Sequence, residues 1–113
     1  MISASMRRKL ELRDPYCWHC GTDIDLVLHH RKNRQIGGSK LLDRYDNLIR
    51  VCQQYNFLME SDAPTAADSK ERGHKLASWQ AFNEPLYDVA AGQWYVLEER
   101  GEKTPIDPPA FLI

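Results

Sequence analysis

Two adjacent histidines, His29 and His30, close an apolar run from Ile24 to Leu28 and open a basic, glycine-containing segment from Arg31 to Lys40. Neutral imidazole is a common metal ligand, and its ordinary pKa of about 6.5 also suits it to proton transfer near neutrality. Neighbouring residues at a strand end point in different directions. The pair therefore suits two tasks, with one ring on a metal and the other on a proton. Downstream, Asn56 and Glu60 stand four residues apart in a stretch of helical pattern, which sets them on one face. One imidazole nitrogen and two side-chain oxygens form a ligand set for a hard or borderline divalent ion with open positions, Mg²⁺ or Mn²⁺. Asn47 carries an amide that can orient a neighbouring histidine, bridge backbone groups across a loop, or simply shape a turn. Taken singly, each of these residues is ordinary surface; it is their order along the chain that points to a site.

A second group is built on sulfur. Cys17 and Cys20 form a C-x-x-C, and Cys52 follows further along. Small domains hold tetrahedral zinc with such a knuckle plus two more ligands. A second C-x-x-C would place its last cysteine where this chain has Tyr55. Three thiolates remain, with His19, water or Tyr55 as candidates for the fourth position. Without a metal, the same cysteines can serve as small core residues.

These groups need elements to position them. Ser5 to Arg13 is expected to form a short helix capped by Ser5 and stopped near Pro15. Asp25 to His30 and Asn47 to Cys52 have strand composition, and Leu48, Ile49 and Val51 are expected in the core. Between them, Arg31 to Asp46 reads as a long polar loop broken at Gly37-Gly38. A helix should begin at Gln53 and end near Ser61-Asp62, and another should run from Ala63 to Leu76. Leu86 to Val89, Gln93 to Glu98 and Lys103 to Ile106 read as three short strands, with a hairpin turn at Arg100-Gly101.

A chain of 113 residues supports one domain, here an α+β fold with a core over residues 1–80 and a β extension over residues 81–113. No apolar run is long enough to span a bilayer, and no secretory h-region is visible, so the expected location is the cytoplasm with reduced thiols. The net charge of -1 is unevenly spread. Residues 1–60 carry ten Lys and Arg against seven Asp and Glu, whereas residues 61–113 carry five against nine. The basic half also holds the cysteines and the histidine pair. A local basic patch matters more than net charge for meeting phosphates.

In order, the C-x-x-C, His29-His30, Gly37-Gly38, Asn47-Leu48, Cys52 and the ligand-bearing helix resemble the HNH endonuclease family, the ββα-metal or His-Me finger nucleases. The resemblance covers Tyr16 to Asp62. The block His29 to Arg34, with Gly37 to Lys40 and Leu58 to Asp62, is most similar to small HNH proteins of bacteriophages. It implies two strands and a helix clasping one divalent ion; the flanking helices and the C-terminal β-meander read from the residues lie outside it. Position by position, it implies His29, Asn56 and Glu60 as metal ligands, His30 as general base and Asn47 as the middle asparagine. Arg31, Lys32, Arg34 and Lys40 would contact the DNA backbone, and Cys17, Cys20 and Cys52 would hold structural zinc. Two positions depart from the pattern: Asn56 stands where histidine is common, and Tyr55 where a fourth zinc cysteine is expected. The implied activity is metal-dependent hydrolysis of DNA in a bacterial host cell, with a phage DNA-packaging terminase as an implied partner. Two other readings are a catalytically weak or inactive DNA-binding or assembly protein on this scaffold, and a zinc-knuckle interaction module.

Overall fold

Three helices and two small antiparallel sheets make up the described part of the chain, residues 2–33 and 40–110 of a computed structural model. Helix α1 (Ala4–Arg13) starts one residue earlier than expected because Ser3, not Ser5, is its cap: the Ser3 hydroxyl accepts the Met6 N–H at 3.1 Å. Most of α1 is exposed. It is anchored by Leu10 and by Arg13, whose guanidinium grips Asp14 and donates to the carbonyls of Tyr45 and Leu48.

Strands β1 (Leu26–His30) and β2 (Leu48–Cys52) pair antiparallel, with His30 opposite Leu48 and His29 opposite Ile49. Asn47 closes the connection between them. Its Oδ1 accepts the Lys32 N–H at 2.8 Å, its Nδ2 donates to Leu42 O at 2.9 Å, and its own carbonyl accepts the Arg31 N–H at 2.7 Å. The amide therefore bridges backbone across the loop, and among the described residues its hydrogen bonds go to backbone groups of Lys32 and Leu42. Helix α2 (Gln53–Ser61) follows β2 with no intervening residue, capped by the Cys52 sulfur. Asp62 then ends α2 and caps α3 (Ala63–Glu71), with Pro64 in the first turn.

Helix α3 stops at Glu71, short of the expected Leu76. The cause is Gly73, at φ +76°, where a Cβ would lie 2.1 Å from the Pro85 carbonyl oxygen. Only glycine fits there, and the chain turns away from the helix to run beside the end of β1. A meander of β3 (Leu86–Asp88), β4 (Gln93–Leu97) and β5 (Lys103–Ile106) completes the fold, its second turn at Gly101. Leu86 and Leu97 of the meander share one buried cluster with Cys17, Trp18, Ile49, Val51, Tyr55 and Met59. No helix among the described residues is long and apolar enough to cross a membrane.

One expected DNA contact belongs instead to the interior. Arg31 is fully buried. Its Nε donates to Gly73 O at 2.9 Å, Nη1 to Asp46 O at 3.1 Å and Phe82 O at 2.9 Å, and Nη2 to Glu84 O at 2.7 Å. Burial lowers its pKa to about 10, opposed by the nearby Asp46 carboxylate, so the side chain remains cationic at neutral pH. A guanidinium answering four carbonyls from separate loops cannot also meet a phosphate. Arg31→Met keeps the aliphatic stem and removes every donor. It should lower the unfolding free energy in urea by about 3 kcal/mol or more, since four buried acceptors lose their partner. A loss under about 1 kcal/mol would show that water replaces the guanidinium at little cost.

Candidate functional site

Strand alternation turns His29 toward α2 and His30 toward the other face. His29 is buried, and its Nε2 lies 2.9 Å from the His74 carbonyl oxygen. A carbonyl only accepts, so Nε2 carries the proton. Burial depresses the His29 pKa to about 4, although the hydrogen bonds to His74 and Asn56 oppose the shift. The ring is thus neutral, with its free lone pair on Nδ1. The Oδ1 of Asn56 lies 3.2 Å from that nitrogen. With the amide oxygen inward, two lone-pair donors face a common point; a half-turn of the amide presents its NH₂ instead. Two cis ligands of an octahedral ion at about 2.1 Å lie about 3 Å apart, which is the spacing of this pair.

Glu60 sits one helical turn beyond Asn56. Its carboxylate is close enough to His29 to favour the charged imidazole, but it is half exposed and Oε1 lies 3.4 Å from Lys75 Nζ. Lys75 also donates to Met59 O at 3.1 Å, so its ammonium is fixed beside Glu60. His29 and Asn56 are therefore in contact, with Glu60 alongside and held by a lysine.

On the opposite face, His30 Nε2 lies 2.8 Å from Asp43 Oδ1. In its neutral form the ring donates that proton to the carboxylate and keeps a lone pair on Nδ1. Asn47 holds the carbonyl of Leu42, the residue before Asp43, so it positions the carboxylate that in turn orients His30. His30 opens on a groove also lined by Arg7, Glu11, Leu26, Leu28 and Arg50. Of the other basic residues expected on DNA, Lys32 stacks its ammonium over the Phe82 ring at 4.1 Å. Arg34, the Gly37-Gly38 break and the side chain of Lys40 lie outside the described residues.

Cys17, Cys20 and Cys52 converge. Their sulfurs lie within 4.8 Å of one another, an arrangement able to hold a metal ion. Cys17 Sγ accepts the N–H groups of His19 at 3.3 Å and Cys52 at 3.2 Å, and Cys52 Sγ accepts the Tyr55 N–H at 3.4 Å. Gly21, at φ +76°, completes the turn of the knuckle. Burial opposes ionisation of Cys20, but hydrogen bonds from the Thr22 backbone and the two neighbouring thiols outweigh it and hold its pKa below the ordinary thiol value. Burial pushes Cys52 up to about 11. Ionisation of Cys52 near neutral pH therefore calls for a cation, whose binding would release a proton. Tyr55 is not the missing fourth ligand. Its hydroxyl donates to His74 Nδ1 at 2.6 Å, while His74 Nε2 donates to Tyr87 O at 2.6 Å. Burial raises the Tyr55 pKa to about 12, which further disfavours the phenolate.

Sequence reasoning missed Asp43, His74 and Lys75. His74 is completely buried, with its pKa lowered by burial to about 3, and its carbonyl selects the tautomer of His29. None of the three belongs to a spacing pattern; only the fold brings them to the histidine pair. Comparison with known proteins finds no matching family model, no matching curated protein and no matching solved structure.

A metal test of the His29, Asn56 and Glu60 cluster is direct. Asn56→Ala and Glu60→Ala should each weaken Mn²⁺ binding, read by calorimetry, by about tenfold or more. Lys75→Ala should strengthen it, because a fixed ammonium no longer competes for Glu60. Equal Mn²⁺ affinity in all four proteins would remove this cluster as a metal centre.

Proposed function

We propose that the chain is a divalent-metal-dependent endonuclease that hydrolyses DNA phosphodiester bonds on a ββα-metal scaffold. The observation that carries the reading is the 3.2 Å pairing of a neutral His29 Nδ1 with Asn56 Oδ1 across a strand–strand–helix unit. His29, Asn56 and Glu60 would hold Mg²⁺ or Mn²⁺. When bound there, the ion supplies positive charge to the phosphate oxygens as the bond breaks. A phosphate lying across the end of β1 would meet this cluster on one side and His30 on the other. Nδ1 of His30 takes the proton of the attacking water, while Asp43 holds Nε2–H and stabilises the imidazolium that results. Arg7 and Arg50, in the groove beside His30, join Lys32 in positioning the backbone without reading sequence. The cysteine trio would hold zinc in a structural role. Action in phage DNA packaging beside a terminase rests on the sequence resemblance and not on this geometry.

A second reading has its own support. The Glu60–Lys75 ion pair places a cation beside a proposed ligand, as suits a DNA-binding or assembly protein that keeps the scaffold with weak or no cleavage.

Plasmid nicking with Mg²⁺, Mn²⁺ and chelator controls tests both readings. Wild type should nick only with metal. His30→Ala should lower cleavage by about 10²–10⁴-fold with unchanged DNA affinity and circular dichroism. Undiminished nicking by His30→Ala removes it as the base. Salt-sensitive DNA binding without nicking under any metal establishes the binding-protein reading.

A further inference from the structure

A tetrahedral ion needs four donors, and the cysteine trio supplies three. Bonds of about 2.3 Å from sulfur to zinc put the sulfurs of such a site about 3.8 Å apart. Cys20 and Cys52 are separated by 3.9 Å. The two side chains best placed to complete the set are engaged elsewhere. The Tyr55 hydroxyl is bonded to His74, and the His19 ring lies flat on the Tyr55 ring, with centroids 4.2 Å apart and planes 5° from parallel. Among the described residues, the three cysteines form the one group of three or more His, Cys, Asp or Glu with ligand atoms this close. Beside them lies a cavity of about 280 Å³ between the knuckle, α2 and α3, lined by His19, Cys20, Cys52, Tyr55, Asp68 and Arg72.

We propose that Cys17, Cys20 and Cys52 hold one zinc-class ion whose fourth coordination position is left open to an exchangeable donor entering through this cavity. Tyr55 removes the fourth protein ligand and, by stacking with His19, keeps that imidazole out of the position. Water fills it at rest, and the Arg72 guanidinium and Asp68 carboxylate that line the cavity admit a small donor such as water or a small anion. The inference rests on the zinc assignment above and is independent of phosphodiester cleavage.

Anaerobic titration of the full chain with Co²⁺ reads the site directly. One ion per chain should bind, with tetrahedral visible bands and thiolate charge transfer. Azide should then shift the visible bands saturably, and His19→Ala should behave like wild type. Tyr55→Cys, which restores a fourth thiolate, should bind Co²⁺ with no azide response. Failure to bind Co²⁺ overturns the zinc assignment itself. Binding without an azide response in wild type, or loss of tetrahedral bands in His19→Ala, shows that the protein closes its own site and overturns the open position. The wild-type titration and His19→Ala decide the matter even if Tyr55→Cys fails to fold, because neither touches the hydroxyl that supports His74.

Discussion

The end of β1 is held by a buried cation. Arg31 takes four carbonyls from three loops and so draws the segments around Asp46, Gly73 and Phe82–Glu84 onto one point. Its own carbonyl accepts the Leu76 N–H at 2.7 Å, which ties the same strand end to the segment after Gly73. This tether places the His74 carbonyl where His29 must donate to it. The tautomer of His29, and with it the direction of its free lone pair, follows from an arginine two residues further along the chain. Burying a guanidinium is costly unless its hydrogen bonds are met. Here Arg31 is bonded by backbone oxygens that would otherwise be orphaned, so cation and carbonyls each offset the desolvation of the other.

From that constraint the two imidazoles acquire different characters. His29 lies inside, desolvated and neutral, facing an amide. His30, one residue on, faces a carboxylate near the surface. Alternation along a strand gives adjacent identical residues opposite environments, one ring buried against an amide and the other against a carboxylate. Asn47 contributes at one remove, by fixing the turn that carries Asp43.

Local pattern made most of the elements legible. The strands on either side of the long loop, the start of α2 and the three strands of the meander fall within a residue or two of where composition places them, because each is a short apolar run bounded by turn residues. The end of α3 was not legible: composition carries the helix on to Leu76, and only the Pro85 carbonyl pressing on Gly73 shows why it stops earlier. Arg31 was misread for a related reason. A charged residue in a basic stretch looks solvated, and nothing local reveals that loops more than forty residues away bring it three of its four carbonyls. The i, i+4 spacing of Asn56 and Glu60 was visible in the sequence; the lysine opposite Glu60 was not, because it comes from a segment after α3.

Helix α2 links the two clusters. Cys52, Asn56 and Glu60 follow one another at intervals of four residues, each step about 6 Å along the axis. Tyr55 and Met59, each one residue before a proposed ligand, are buried in the common core and fix the rotation of the helix. The core therefore holds Asn56 against His29, with Glu60 one turn further on at the exposed margin. The cysteine trio fixes the first turn, since Cys52 caps the helix through its sulfur. Thiolates at one end favour a soft ion, and nitrogen with oxygens further along favours a harder one. Because a full turn of helix separates the two sets, no single ion could satisfy both, and any metal at the cysteines would be distinct from one held in the proposed His29 cluster.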